Sequence, residues 1–135
     1  MTAAPKSRKQ TILVVDDEAA LRSLTTRMLE GHGYSVIEAH DGFDAWRLLE
    51  AMTDRIDLII ADVVMPRLDG VELARCMDIM PHPPPILLMS GYGLSPLEFE
   101  RPLLPKPFST HDLLAAVHSL LAAPGINDPE NPNPP

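Results

Sequence analysis

Residues 11–17 read TILVVDD: an apolar run that ends abruptly in two adjacent acids, Asp16 and Asp17. A strand apolar on both faces is one covered on both sides, as in a parallel sheet flanked by helices. Adjacent carboxylates repel, and burying an unpaired charge is costly. Something at the end of this strand must neutralise the two acids.

Working outward, the pattern repeats. YSVIEA (34–39), DLIIA (57–61) and PILLM (85–89) are further short apolar segments, and PLL (102–104) is a weaker fifth. Stretches with helical spacing lie between them. Over 18–30, Leu21, Leu24, Met28 and Leu29 form a buried stripe, and GHG (31–33) stops the helix through a left-handed glycine. Ala45, Trp46, Leu49 and Met52 share one face of 41–52, with Trp46 read as core. A third helix, 69–80, runs through Val71, Leu73, Ala74 and Met77, with Asp69–Gly70 as its turn and start. The last helix opens on STHD (109–112), where Ser109 and Asp112 form a capping box. Leu113, Leu114, Val117, Leu120 and Leu121 supply its apolar stripe. The alternation predicts an α/β domain, a doubly wound parallel sheet. Its working site lies beyond the carboxyl ends of the strands.

The 135 residues suffice for one domain with a real core. A net charge of -8 opposes nucleic-acid binding and favours a protein partner or a bound cation. The one cysteine, Cys76, cannot form an internal disulfide and reads as structural. The apolar runs are too short to span a bilayer, and MTAAPKSRKQ (1–10) lacks a signal-peptide apolar region. A cytoplasmic protein without membrane or nucleic-acid partners is expected. Residues 1–9 read as a disordered arm, 10–122 as the domain and 123–135 as a disordered proline-rich tail. Met1 and that tail favour a free-standing protein.

Asp16 and Asp17 follow the first strand, Asp62 the third, Ser90 the fourth and Lys106 the fifth. Right-handed crossovers bring these ends to one edge of the sheet. Clustered carboxylates favour a hard divalent cation, and Mg2+ suits a few carboxylates with waters and a phosphate oxygen. Three acids, one divalent ion and Lys106 balance to neutrality. Without the ion, the acids' pKa values rise through like-charge repulsion. A carboxylate in such a place can act as a nucleophile toward phosphorus, giving an aspartyl phosphate. The cation and Lys106 would stabilise the transferring oxygens, and Ser90 would hydrogen-bond the product.

With ILVVDDE (12–18), DLIIADVVMPRLDG (57–70), ILLMSGY (86–92) and LPKPF (104–108), the sequence resembles a receiver domain of the two-component response-regulator family, from about Gln10 to Leu121. The resemblance implies a flavodoxin-like five-stranded parallel sheet, order 2-1-3-4-5, between five helices. It implies Asp62 as phosphoacceptor, and Mg2+ held by Asp17, Asp62 and the Val64 backbone carbonyl, with Asp16 acting mainly through a water. Ser90 and Lys106 become the switch hydroxyl and the phosphate-binding lysine, and the Lys106–Pro107 bond is expected to be cis. The implied donor is a phosphohistidine on a sensor histidine kinase or a histidine phosphotransfer protein. The domain would catalyse only its own phosphorylation and dephosphorylation, and signal to a downstream protein as a monomer or weak dimer.

Two departures stand out. Leu103 occupies a position where the family often has an inward-turning Tyr or Phe. A hydrogen bond from Ser90 to a charged group contributes ~1.5–3 kcal/mol, short of the ~5.5 kcal/mol that a full two-state switch needs. Tyr92 is a candidate for the aromatic role. Secondly, Ser90 and Lys106 are only 16 residues apart, which leaves a shortened or missing fourth helix at SPLEFE (95–100) and an altered partner face.

Among other side chains, His111 and His118 read as surface residues. PHPPP (81–85) reads as a stiff loop, and PRL (66–68) as a loop near the phosphorylation site that the kinase would touch. Alternatives to a phosphorylatable receiver are a phosphorylation-independent binding module and a receiver detached from a hybrid histidine kinase. Such a receiver acts either as a relay or phosphate sink or as an allosteric effector. A haloacid-dehalogenase-type enzyme is disfavoured, because Val64 stands where that class needs a second acid.

Overall fold

The computed structural model describes residues 9–91 and 101–122. Five strands form one parallel sheet: β1 (Thr11–Val15), β2 (Ser35–Ala39), β3 (Leu58–Asp62), β4 (Ile86–Ser90) and β5 (Leu103–Pro105), in the order β2-β1-β3-β4-β5. Four α-helices lie among the described residues: α1 (Ala19–Glu30), α2 (Gly42–Met52), α3 (Gly70–Met77) and α4 (Thr110–Ala122). The expected short helix at 95–100, Tyr92, and the expected arm and tail beyond residue 9 and residue 122 lie outside the described residues.

Strand side chains alternate between two cores, as a period of two requires. Leu13, Val15, Ile59, Ala61 and Leu88 pack with Ala45 and Leu49 of α2 and with Leu73 and Met77 of α3. Ile12, Val14, Leu58, Ile60, Leu87 and Met89 pack with Leu29 of α1 and with Leu113 and Val117 of α4. The three inner strands β1, β3 and β4 are thus buried on both faces, which explains why they read as unbroken apolar runs, whereas the edge strands β2 and β5 are only partly covered. Trp46, expected in the core, is only partly buried against the first cluster.

Several boundaries differ from the sequence reading. β3 and β4 run one residue further and include Asp62 and Ser90. The reason is that the ladder continues past the apolar run: the Val63 amide donates to the Met89 carbonyl (2.9 Å) and the Lys106 amide to that of Ser90 (2.6 Å). α3 ends at Met77 rather than at residue 80. There the amides of Asp78, Ile79 and Met80 bond carbonyls three residues back, a tightened final turn. Pro81 then disfavours helical backbone at the residue before it.

The stop after α1 is a Schellman motif. Gly33 is left-handed (φ 93°), the Tyr34 amide reaches the Leu29 carbonyl (3.3 Å) and the Gly33 amide that of Glu30 (3.2 Å). The expected stripe on α1 needs correction. Leu29 is buried, but Leu24 is 42% exposed while Thr25 and Thr26 face the interior. The threonine hydroxyls are satisfied there, on the Leu21 carbonyl (3.0 Å) and on Glu38 (2.9 Å), so their burial leaves no unpaired donor. Met28 packs partly buried against the second cluster, and with Leu21 and Leu24 it also lines a groove beside Lys106, Pro107 and Phe108.

Candidate functional site

Each site residue sits where a strand ends. Asp16 follows β1, and its amide donates to the Ala39 carbonyl at the end of β2 (3.2 Å). Its Oδ1 turns back to accept the Glu18 amide (2.9 Å), a local Asx turn that leads into α1. Its Oδ2 is buried and has no hydrogen-bond partner among the described residues. Carboxylate oxygens of Asp16, Asp17 and Asp62 lie within 4.8 Å of one another. Asp16 and Asp62 are buried, whereas Asp17 is exposed and opens the cluster to solvent.

Asp62 is held from two sides. The Lys106 ammonium donates to Oδ2 (2.7 Å) and the Val64 amide to Oδ1 (3.1 Å). Lys106 hangs from the Ser90 carbonyl through its own amide, and the Lys106–Pro107 peptide is cis. Ser90, 4% exposed, ends β4 next to that contact. Beneath Asp62, α3 begins at Gly70, where a Cβ would stand 2.4 Å from the Asp62 carbonyl oxygen. Only glycine lets the helix approach so closely. Asp69 and Glu72 cap this helix reciprocally (both 2.9 Å), in agreement with a helix start rather than a ligand.

An unpaired buried carboxylate oxygen beside two further carboxylates is a costly arrangement for a cluster to hold alone. The donors are all hard oxygens, few in number and open to water on the Asp17 side. That set fits Mg2+. Burial foremost raises the Asp16 carboxyl above its ordinary pKa, with Asp62 and Asp17 adding to it; the Glu18 amide and Lys106 oppose the rise. Repulsion between the acids, expected as the cause, is secondary to burial.

Because the folded-state pKa of Asp16 is raised, its contribution to stability is full below the ordinary carboxylate range. It is lost as pH rises through the folded value. Asp16→Asn, which removes the charge and keeps the shape, is therefore expected to raise the Tm of ion-free protein near neutral pH. The gain should vanish in acid. Thermal melts in chelator across that range check it, and a variant equally or less stable at neutral pH would contradict the assignment.

Other expected residues fall elsewhere. Leu103 opens β5 opposite Leu88, half-buried against the core shared with α2 and α3 and away from the acids. His111 and His118 are exposed on α4, and Cys76 is free. One cluster escaped the sequence reading. Arg67, in the loop after β3, has φ 70° and stacks 5.0 Å over Phe43 while reaching the buried Asp41 (3.5 Å). Behind this contact, a Cβ on Gly42 would stand 2.1 Å from the Leu68 carbonyl oxygen, so α2 clasps the same loop. Only the close glycines in HDGF and LDG hinted at it.

A family model described as "Response regulator receiver domain" matches residues 12–118. The chain is 39% identical over 127 residues to "Response regulator MprA" of Mycobacterium ulcerans, covering 88% of this chain and 53% of that protein. It is 36% identical over 119 residues to "Transcriptional regulatory protein CpxR" of Escherichia coli K12, covering 82% of this chain and 48% of that one. It spans about half the length of these curated relatives. Among solved structures, a response regulator receiver domain protein from Clostridium thermocellum superposes with a TM-score of 0.74 at 28% identity, covering 83% of this chain and 94% of that one.

Proposed function

The chain belongs to the response regulator receiver domain family, and on that premise we propose that it accepts a phosphoryl group on Asp62 from a phosphohistidine of a sensor histidine kinase or phosphotransfer protein. The carrying observation is the Lys106–Asp62 contact of 2.7 Å beside Asp16 and Asp17. In this reading a carboxylate oxygen of Asp62 attacks phosphorus as the bond to the donor's imidazole nitrogen breaks. The imidazole keeps the electron pair and takes up a proton. Lys106, already at Asp62, meets the charge that develops on the phosphoryl oxygens. The Ser90 hydroxyl donates to one of those oxygens, and the Val64 amide keeps the carboxylate aligned.

Asp16, Asp17, Asp62 and the Val64 carbonyl would hold Mg2+. When bound, that ion neutralises the acids and the incoming phosphate. The same residues serve the domain's own dephosphorylation, and residues 10–122 are the unit that carries them. Output then goes through protein contacts to a downstream target. Among the described residues, no helix is long and apolar enough to cross a membrane. With Leu103 packed into the core, the switch draws on Ser90, Lys106 and the loop after β3.

The test is intact mass after treatment with Mg2+ and acetyl phosphate, with beryllofluoride as a second reagent. A gain of one phosphoryl group supports the reading, and no response to either reagent overturns it. The groove of Leu21, Leu24 and Met28 ends at Lys106 and Phe108, so a donor helix laid there would reach the acceptor. Leu24→Asp is expected to slow transfer from a phosphorylated donor protein about tenfold. Its rate with acetyl phosphate should stay at the wild-type value. Equal losses with both donors would remove the groove from donor docking.

A further inference from the structure

Arg22, in the second turn of α1, makes contacts that the reaction does not use directly. Its Nη1 donates to the Asp16 carbonyl (2.7 Å) and its Nε to Oε1 of Glu38 on β2 (2.8 Å). The other Glu38 oxygen accepts the buried Thr26 hydroxyl (2.9 Å), which fixes the carboxylate in place. The Asp16 amide is tied to β2 as well, through Ala39 (3.2 Å). Both backbone polar groups of Asp16 are therefore anchored at the end of β2, one directly and one through Arg22. The carbonyl that Arg22 grips belongs to the peptide unit joining Asp16 to Asp17. The plane of that peptide sets how the two carboxylates diverge.

We propose that Arg22, braced by Glu38 and Thr26, is a positioning residue for the divalent-ion site, holding the Asp16–Asp17 peptide so that both carboxylates meet one ion without rearrangement. The proposal rests on the reading of Asp16, Asp17 and Asp62 as that site. The pair is partly solvated, with side-chain exposures of 19% and 38%, and such pairs add little to stability on their own. Lysine is no substitute: a single ammonium cannot span a carbonyl and a carboxylate as the planar guanidinium does. The sign of the effect separates geometry from charge. A cation near the site repels Mg2+, so losing its charge alone would tighten ion binding. Weaker binding in a folded Arg22 variant therefore comes from lost geometry. Glu38→Gln also removes an anion that attracts Mg2+, so Arg22→Lys, which keeps the charge, carries the test.

Arg22→Ala, Arg22→Lys and Glu38→Gln are compared with wild type in the full chain, by calorimetric titration with Mg2+ alone and by thermal melts in chelator. Arg22→Ala is expected to weaken Mg2+ binding about tenfold, the lower end for lost partners of metal ligands. Arg22→Lys should recover less than half of that loss on a logarithmic scale, and Glu38→Gln should weaken binding by a smaller factor. With acetyl phosphate, the Mg2+ concentration for half-maximal rate rises in parallel, while the rate at saturating Mg2+ stays at wild type. Unchanged or tighter Mg2+ binding in Arg22→Lys overturns the proposal, whatever happens to the fold of Arg22→Ala. A wild-type protein that binds no Mg2+ refutes the site itself, an outcome distinct from failure of Arg22 to position it.

Discussion

Asp62→Asn is expected to abolish the mass gain with acetyl phosphate altogether, while leaving the melting transition in chelator intact. The amide occupies the same space at the end of β3, and its single carbonyl oxygen can keep one of the two bonds that Val64 and Lys106 now make to separate oxygens. It offers no anionic oxygen to phosphorus, however, so the covalent step disappears instead of slowing. The effect on phosphorylation is total because none of the neighbouring acids can replace it. Asp16 is locked in its turn onto Glu18, and Lys106 contacts Asp62 alone of the three. A full phosphoryl gain in Asp62→Asn would relocate the acceptor, with Asp17 the first candidate. Peptide mapping of the modified protein would identify it.

The second large effect belongs to Lys106. Lys106→Ala removes the cation that sits 2.7 Å from Asp62, and phosphorylation by acetyl phosphate is expected to slow by about 10²-fold. Mg2+ binding should move the other way and hold or tighten, because the ammonium no longer competes for the Asp62 carboxylate. That divergence is the informative part. A lysine that merely braced the fold would lower both quantities together, along with Tm. Parallel titration and rate measurements on one preparation distinguish the two cases.

Much of this was legible in the residues. Apolar runs ending in Asp16, Asp62 and Ser90, with LPKPF after the last, predicted a parallel sheet with its polar groups on one edge, and the strand order followed from the family resemblance. The capping box at Ser109 and the helix start at Asp69–Gly70 were readable because they are local. What escaped depends on tertiary choice. A stripe of Leu21, Leu24 and Met28 looks the same whether it meets a core or an open groove. Only the satisfied hydroxyls of Thr25 and Thr26 explain why those residues turn inward instead. Arg22 and Glu38 are 16 positions apart and carry no motif; their meeting depends on how α1 lies along β2. The left-handed Arg67 is held by Phe43 and Asp41, more than twenty residues away in sequence, and no local preference would place it there.

The contact between Gly70 and the Asp62 carbonyl has a mechanical consequence. Strand end and helix start touch backbone to backbone, with no side chain between them to act as a cushion, so Asp62 stands on an anvil. A phosphoryl group on Asp62, as proposed, could not push its main chain downward. The displacement must be taken up sideways, by the parts of the rim that still have slack.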